Sequence, residues 1–537
     1  MCGRGAEETV RPRTSYLWRD MTSSRAVDLA ILIAATALTR FGFRSHYLYD
    51  VDSVNFALAL DRFDPSAHQP HPPGYFLYVC LGRLANLIFH DANTALVAVS
   101  IVFSCGAVAM IYLLAHNWFG RNAALFAGLI FVFSPLAWFH GTVALTYIVE
   151  TFFSALAGYL CWCIYCGGVR FILPCGIVVG LAAGFRPSSL LLLGPLLLFS
   201  LLHTDRRQTA VGIGALVVTL LAWFLPMIRI TGATGYISSL VSLWLNAPSR
   251  GMVFNSTLWN SFARAWIIVG IYFLCFGSAA ILPVIVFRSA SSADRRKTIF
   301  TRVWMAPGLL FFTFIFLQWV NSGYLIALTP PVCAWMGLWA SNCHAKARLR
   351  KSFKILMIGA CAAINTLVFV RAPLYCSYRG VRRFETELEN ILSVVPQIAS
   401  PSETVIVGFD SHFLGYRHAG YYLPSYLTVQ FPAVRLHSGL RVFAMRDRNT
   451  RLERMVPATS FRNFIIFPLP LGGREYGAYL TGVRKRFPPG ELHSITLGGH
   501  EFGIGPAADL RFLFPGSVPA GTVLPVAQTT DQAPIEK

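Results

Sequence analysis

Two aspartates, Asp50 and Asp52, stand just beyond the first long apolar stretch of the chain, and a stiff loop of histidines and prolines follows them. The segment 49–78 reads YDVDSVNFALALDRFDPSAHQPHPPGYFLY and holds Asp50, Asp52, Asp61 and Asp64, four of the twelve acids before residue 372. Carboxylates gathered at the edge of an apolar region are candidates for proton transfer or cation binding. A carboxylate at a dry interface can act as general base, taking a proton from a hydroxyl or amine as it attacks. Asp52 is the candidate base and Asp50 its competitor. The bland alternative for Asp52 is an N-cap, since a short helix is expected over 55–62 and a carboxylate there would accept free backbone N–H groups. His68 and His71 flank Gln69 and Pro70. With the aspartates they could hold a divalent cation, but a proline between them makes a rigid loop instead of a shared helix face. In His71-Pro72-Pro73-Gly74-Tyr75 the prolines lock φ and the glycine frees it, so this loop, His68 included, is suited to positioning its neighbours.

Further along, Glu150 is the one acid inside an apolar span after Asp28. An intramembrane acid is costly and marks function by default, its alternative being a hydrogen bond to a neighbouring helix. Arg186, in Gly184-Phe185-Arg186-Pro187-Ser188, and Arg229, at the end of another span, are cations on the side where arginines are unexpected. Bidentate contact with a phosphate would explain them; snorkelling to lipid headgroups is the alternative. Tyr324, in Asn321-Ser322-Gly323-Tyr324-Leu325, opens a span and on its own reads as an interfacial anchor.

The elements that must carry these residues follow from composition. Of 537 residues 55% are hydrophobic and only 13% charged, against about 25% charged in soluble proteins. The expectation is an all-α polytopic membrane protein with about eleven transmembrane helices and an added polar region. The net charge of +20 fits basic cytoplasmic loops and does not imply nucleic acid. Spans are expected near 26–43, 96–116, 122–138, 147–165, 171–184, 188–202, 209–229, 263–288, 303–320, 324–340 and 355–371. Residues 73–90, broken by Arg83 and Asn86, read as a helix lying on the outer surface. With this count Arg121, Arg170, Arg206, Arg207, the run from Arg288 to Arg302 and that from Lys346 to Lys354 all fall on the cytoplasmic side. The domains so divided are a basic N-terminus over 1–25, a transmembrane catalytic domain over 26–371 with its first outer loop at 44–95, an extracytoplasmic α/β domain over 372–517, and a disordered tail over 518–537. No cleavable signal peptide is read at the Arg-rich start. The α/β reading rests on a helical stretch at 381–396 and strand-like runs VIVGF at 405–409 and FIIFPLP at 464–470. Phe409-Asp410-Ser411-His412, after the first of these runs, is a plausible binding edge with no assigned chemistry. Cys161, Cys163 and Cys166 share one apolar helix and read as packing.

Taken together, Asp50 and Asp52, the His71–Tyr75 loop, Glu150, Gly184-Phe185-Arg186-Pro187 and Gly323-Tyr324-Leu325 leading to Pro330 resemble the GT-C superfamily of membrane glycosyltransferases. That group contains the protein O-mannosyltransferases and the aminoarabinose lipid A transferases. The resemblance covers about residues 26–371, and the Asp-Ser to His-Pro-Pro-Gly-Tyr spacing is its specific part. It implies a polyprenyl-phosphate sugar donor and inverting transfer at the outer face of the cytoplasmic membrane. The acceptor would be a lipid-linked glycan, a glycolipid or a protein. It also implies that an aspartate of the first outer loop is catalytic. Asp52 matches best, although the common Asp-Glu doublet is absent, which keeps Asp50 in contention. In this reading Arg186, Arg229 and Tyr324 serve the donor phosphate, and no cofactor is required beyond the open divalent cation. The alternative from another class is a transporter or flippase of lipid-linked saccharides. It would need polar groups through the membrane midplane, whereas the acids and outer arginines here gather at one face.

Overall fold

The structure is a computed structural model. It describes residues 23–245, 258–281, 295–346, 351–431, 434–436, 439–453, 461–467, 493–497 and 500–506. The expected basic N-terminus up to residue 22, the last three residues of the second strand-like run (468–470) and the tail over 518–537 lie outside the described residues.

The apolar runs fold as helices, and acids start several of them. They are α1 (Ser23–Gly42), α2 (Val51–Asp61), α3 (Phe76–Phe89), α4 (Ala92–Phe119), α5 (Arg121–Val132), α6 (Pro135–His140), α7 (Tyr147–Tyr165), α8 (Ile172–Phe185), α9 (Ser188–Leu201), α10 (Arg206–Thr231), α11 (Ala233–Leu245) and α12 (Leu258–Phe276). Further helices span Arg295–Phe314, Thr329–Lys346, Lys351–Arg371 and Tyr378–Ile398. Asp91 caps α4 through the Thr94 N–H and Asp205 caps α10 through the Gln208 N–H, each satisfying a donor that the helix start leaves free. Among the described residues five helical segments are long and apolar enough to cross a membrane: Ala92–Phe119, Tyr147–Tyr165, Arg206–Thr231, Ser261–Ala280 and Val320–Ser341. Shorter apolar helices, α8 and α9 among them, pack between these. Two charged residues within α1 reach neighbouring helices. Asp28 receives Arg121 at 2.6 and 2.8 Å and Tyr112 at 2.9 Å, and Arg40 donates to the Val132 carbonyl at 2.7 Å.

Three expected spans or loops differ, each for a local reason. The span at 122–138 breaks into α5 and α6, because Pro135 cannot continue the hydrogen-bond ladder and the Ser134 hydroxyl accepts the Ala137 N–H to begin a new helix. The loop at 230–262 contains α11, and α12 already begins at Leu258. The span at 324–340 starts as a tight 3-10 turn, Trp319–Leu328, and becomes α-helical at Thr329, where Pro330 and Pro331 fit a helix's first turn.

After Arg371 the chain forms the helix Tyr378–Ile398 and a mixed sheet. Its strands are β1 (Thr404–Phe409), β2 (Leu427–Phe431), β3 (Val434–Leu436), β4 (Gly439–Arg446), β5 (Asn449–Glu453), β6 (Asn463–Ile466), β7 (His493–Leu497) and β8 (His500–Pro506). The order is β3-β4-β2-β1-β6-β8-β7, with β5 on β4. Central β1 runs parallel to both neighbours, Val405 opposite Leu427 on one side and Phe464 on the other. The helix Tyr416–Tyr422 makes the β1-to-β2 crossover. This region is docked on the first outer loop. The Tyr422 hydroxyl accepts the Leu48 N–H at 2.8 Å, Glu385 accepts the His46 N–H at 2.6 Å, and buried Arg417 donates to the Ala67 carbonyl and the Thr450 hydroxyl, both at 2.8 Å.

Candidate active site

The acidic loop is fixed at its first residue. Asp50 is the N-cap of α2, accepting the Asp52 N–H on Oδ1 at 2.9 Å. This corrects the capping alternative: the helix starts at Val51, four residues before the expected 55, so Asp50 takes the cap and Asp52 falls in the first turn. Asp52 remains 27% exposed. Its Oδ1 lies 3.1 Å from His71 Nδ1, an ion-pair approach more than an aligned hydrogen bond. Burial opposes ionisation of Asp52, but nearby His71, then His412 and Arg186, outweigh it and hold the carboxyl well below the usual carboxylate range.

The His71–Tyr75 loop supplies the link. His71 Nε2 is 3.0 Å from the Tyr75 hydroxyl. Gly74 sits at φ +114°, where a side chain would be strained, and a Cβ would stand 3.0 Å from Met227 Sδ. The Pro73 carbonyl accepts the Tyr236 hydroxyl of α11 at 3.1 Å, so α10 and α11 hold the loop from behind. Tyr75 itself is the N-cap of α3 in the left-handed region. Burial, opposed by Arg186, pushes its hydroxyl up, so it stays protonated.

Tyr75 faces Arg186. The guanidinium carbon lies 5.7 Å from the Tyr75 ring centre, 4.2 Å from Tyr147 and 4.4 Å from Tyr324, a three-tyrosine cage around one cation. Arg186 Nε is 2.9 Å from Glu150 Oε2, with the side chains 4% and 1% exposed. Glu150 Oε1 accepts from Ser188 at 3.0 Å and Ser189 at 3.1 Å, and Arg186 donates to the Thr146 hydroxyl. Gly323 is required beside this cage, because a Cβ there would approach Tyr147 Cγ to 2.4 Å.

The expected residues therefore separate. Asp50, Asp52, His71, Tyr75, Arg186, Glu150 and Tyr324 come together. Glu150, expected among the catalytic acids, is the sealed partner of Arg186. Arg229, expected at the donor phosphate, is exposed in the last turn of α10 and is not among the groups around Arg186. His68 is not a companion to His71: it ends the turn Pro65–Ala67 and lays its ring 5.4 Å from Phe443 of β4. Among the described residues no three His, Cys, Asp or Glu side chains gather as metal ligands. Sequence reasoning did not assign Thr146, Tyr147, Ser188 or Ser189 to the site. For the serines a signal existed, since they directly follow Arg186-Pro187.

Residues 70–230 match the family described as dolichyl-phosphate-mannose-protein mannosyltransferase. The structure is similar to ArnT from Cupriavidus metallidurans bound to undecaprenyl phosphate, with 12% identity, 91% of this chain and 98% of that chain covered, and a TM-score of 0.57. It is similar to the same protein in the apo state at 13% identity, 90% and 97% coverage and a TM-score of 0.52. A comparison with curated proteins finds no match. The chain thus shares the fold of ArnT. The shared architecture is mostly helical, with apolar helices and a small C-terminal sheet region.

Proposed function

We propose that the protein is an inverting glycosyltransferase that moves a sugar from a polyprenyl-phosphate donor to a lipid-linked glycan, glycolipid or protein. The reaction takes place at the outer face of the cytoplasmic membrane. The observation that carries this reading is the unbroken line Asp52–His71–Tyr75–Arg186–Glu150, which sets a carboxylate and a caged guanidinium at one site. The acceptor's hydroxyl or amine attacks the anomeric carbon from the side opposite the phosphate. Its proton passes to Asp52. The bond from the anomeric carbon to the phosphate oxygen breaks, its electron pair staying on the oxygen, and polyprenyl phosphate leaves. Asp52 is held ionised at rest, so it takes the proton late, when the attacking group has become acidic in the transition state. Arg186 faces the oxygen that gains charge. Glu150 neutralises the pair overall, so Arg186 contributes a fixed, directed dipole more than net charge. Tyr324 and Tyr147 hold its plane in place.

The topology in this proposal is eleven spans with α3 on the outer surface, a cytoplasmic N-terminus and an extracytoplasmic region after Arg371. The transmembrane part runs over 26–371 and the α/β domain over 372–517. ArnT's bound undecaprenyl phosphate supports a lipid phosphate carrier as donor. The test is purified full-length protein with a panel of polyprenyl-phosphate sugars, following release of polyprenyl phosphate. Release with none of them, in protein shown to be folded, would sink the proposal.

A further inference from the structure

Asp50 has a partner from the far end of the sequence. Behind β1 the chain turns through Asp410 and Ser411 to His412, which lands on the start of α2. The His412 carbonyl accepts the Val51 N–H at 2.8 Å, and its ring Nδ1 stands 3.6 Å from Asp50 Oδ2. The other oxygen of Asp50 caps α2 through the Asp52 N–H. One residue thus grips the Asp50–Val51 turn by backbone and side chain together. The charged groups facing the His412 ring are Asp50 and Asp52 from the start of α2 and Asp410 from its own segment, while Phe413 lies beside it. Two aspartates two residues apart repel when both are ionised, and each makes the other harder to deprotonate. A ring held against Asp50 relieves this.

We propose that His412 is a positioning residue of the transferase site: the C-terminal region delivers its ring to Asp50, fixing that carboxylate as the cap of α2 and leaving Asp52 alone to receive the acceptor's proton. The proposal rests on the reading of Asp52 as base. It makes the C-terminal region a contributor to the site instead of an appendage. Burial works against a charge on His412, but Asp50, then Asp52 and Asp410, raise its pKa to about 9, so the ring is cationic at neutral pH. The ring is 39% exposed, so it reaches Asp50 while remaining open to solvent on another side.

The experiment measures release of undecaprenyl phosphate by the full-length protein, using the undecaprenyl-phosphate sugar that the unaltered protein turns over. His412→Gln should lower kcat about tenfold, in the range of coupling between residues in contact, with donor KM within about twofold and an intact fold. His412→Lys should restore most of the loss, because it returns the charge. In an Asp50→Asn background His412→Gln should add little, because the partner is already gone. Unchanged kcat in His412→Gln overturns the proposal. So does a loss that His412→Lys leaves unrepaired, or one that adds fully to Asp50→Asn. Asp52→Asn is run beside them. If it is inactive while His412→Gln is normal, only the role of His412 falls. If Asp52→Asn keeps full turnover, the base reading falls and this proposal falls with it.

Discussion

Arg186 Nε and Glu150 Oε2 lie 2.9 Å apart, and the pair is closed off from solvent by tyrosines and helix packing. Neither charge has water to turn to if the other is removed. Breaking such a buried pair costs about 3–5 kcal/mol, chiefly because the survivor is left uncompensated. Arg186→Ala and Glu150→Ala should each lower the melting temperature of the detergent-solubilised protein strongly. The double variant should be less destabilised than the sum of the two, because it strands no charge. Wild-type melting in Glu150→Ala would show that the pair does not hold the cage. Arg186→Lys keeps a charge but loses the planar fork that reaches Glu150, Ser188 and Thr146 together, so donor use should recover only in part.

The two aspartates should now behave differently, because the structure gives them different partners. Asp50 caps α2, so Asp50→Ala should cost about 0.5–2 kcal/mol of stability, while Asp50→Asn should largely keep the cap. Asp52 caps nothing. Asp52→Asn should fold normally and yet lose about 10²–10⁴-fold in turnover, the usual size of a general-base contribution. Normal turnover in folded Asp52→Asn, with Asp50→Asn inactive, would move the base to Asp50.

Much of this was legible in the sequence where chemistry and spacing coincide. The stiff His71–Tyr75 loop, the acids beyond the first apolar run and an arginine after a glycine-rich helix all mark one end of the bundle, and they do meet. Helix type was readable from apolar length, but helix breaks were not: Ser134-Pro135 sits inside an otherwise continuous apolar run, and only its capping geometry shows the interruption. The pairing of Glu150 with Arg186 joins residues 36 positions apart on different helices, and no local pattern encodes it. Arg229 was grouped with Arg186 only as a second arginine on the outer side, and the structure leaves it exposed at the end of α10. His412 was visible as a polar residue after a strand, but its partner lies in a loop more than 300 residues earlier, so the contact exists only through docking of the sheet region.

The proposed orientation of the C-terminal region is consistent with the contacts at the two ends of α1. Near its start Asp28 meets Arg121, at the beginning of α5. Beyond its end the chain runs into Asp50 and the docked sheet region. In the proposed topology α1 is a span, so the basic helix starts and the sheet would lie on opposite sides. Alkaline phosphatase fused after Arg371 should be highly active in cells, because it folds only outside the cytoplasm. A cytoplasmic reporter active at that junction, with the phosphatase silent, would overturn the proposed eleven spans.

The contact between His412 and Asp50 carries a pH signature whose direction is set by which state binds the proton more tightly. The folded protein raises the His412 pKa from 6.5 to about 9, so folding favours the protonated ring. Its contribution to stability is therefore complete below about 6.5 and is lost as pH rises through about 9. Asp52 works in the opposite sense. Its carboxyl is lowered from 3.8, so its contribution is present above that value and is lost only in strong acid, away from the histidine's window. Melting temperatures of the full-length protein and of His412→Gln, measured from about pH 6 to about pH 10, should differ most at the acid end and converge above about 9. Because the ring is partly exposed, salt should shrink the difference at the acid end as well. A gap of constant size across the range would mean that the ring acts by packing and not through its charge.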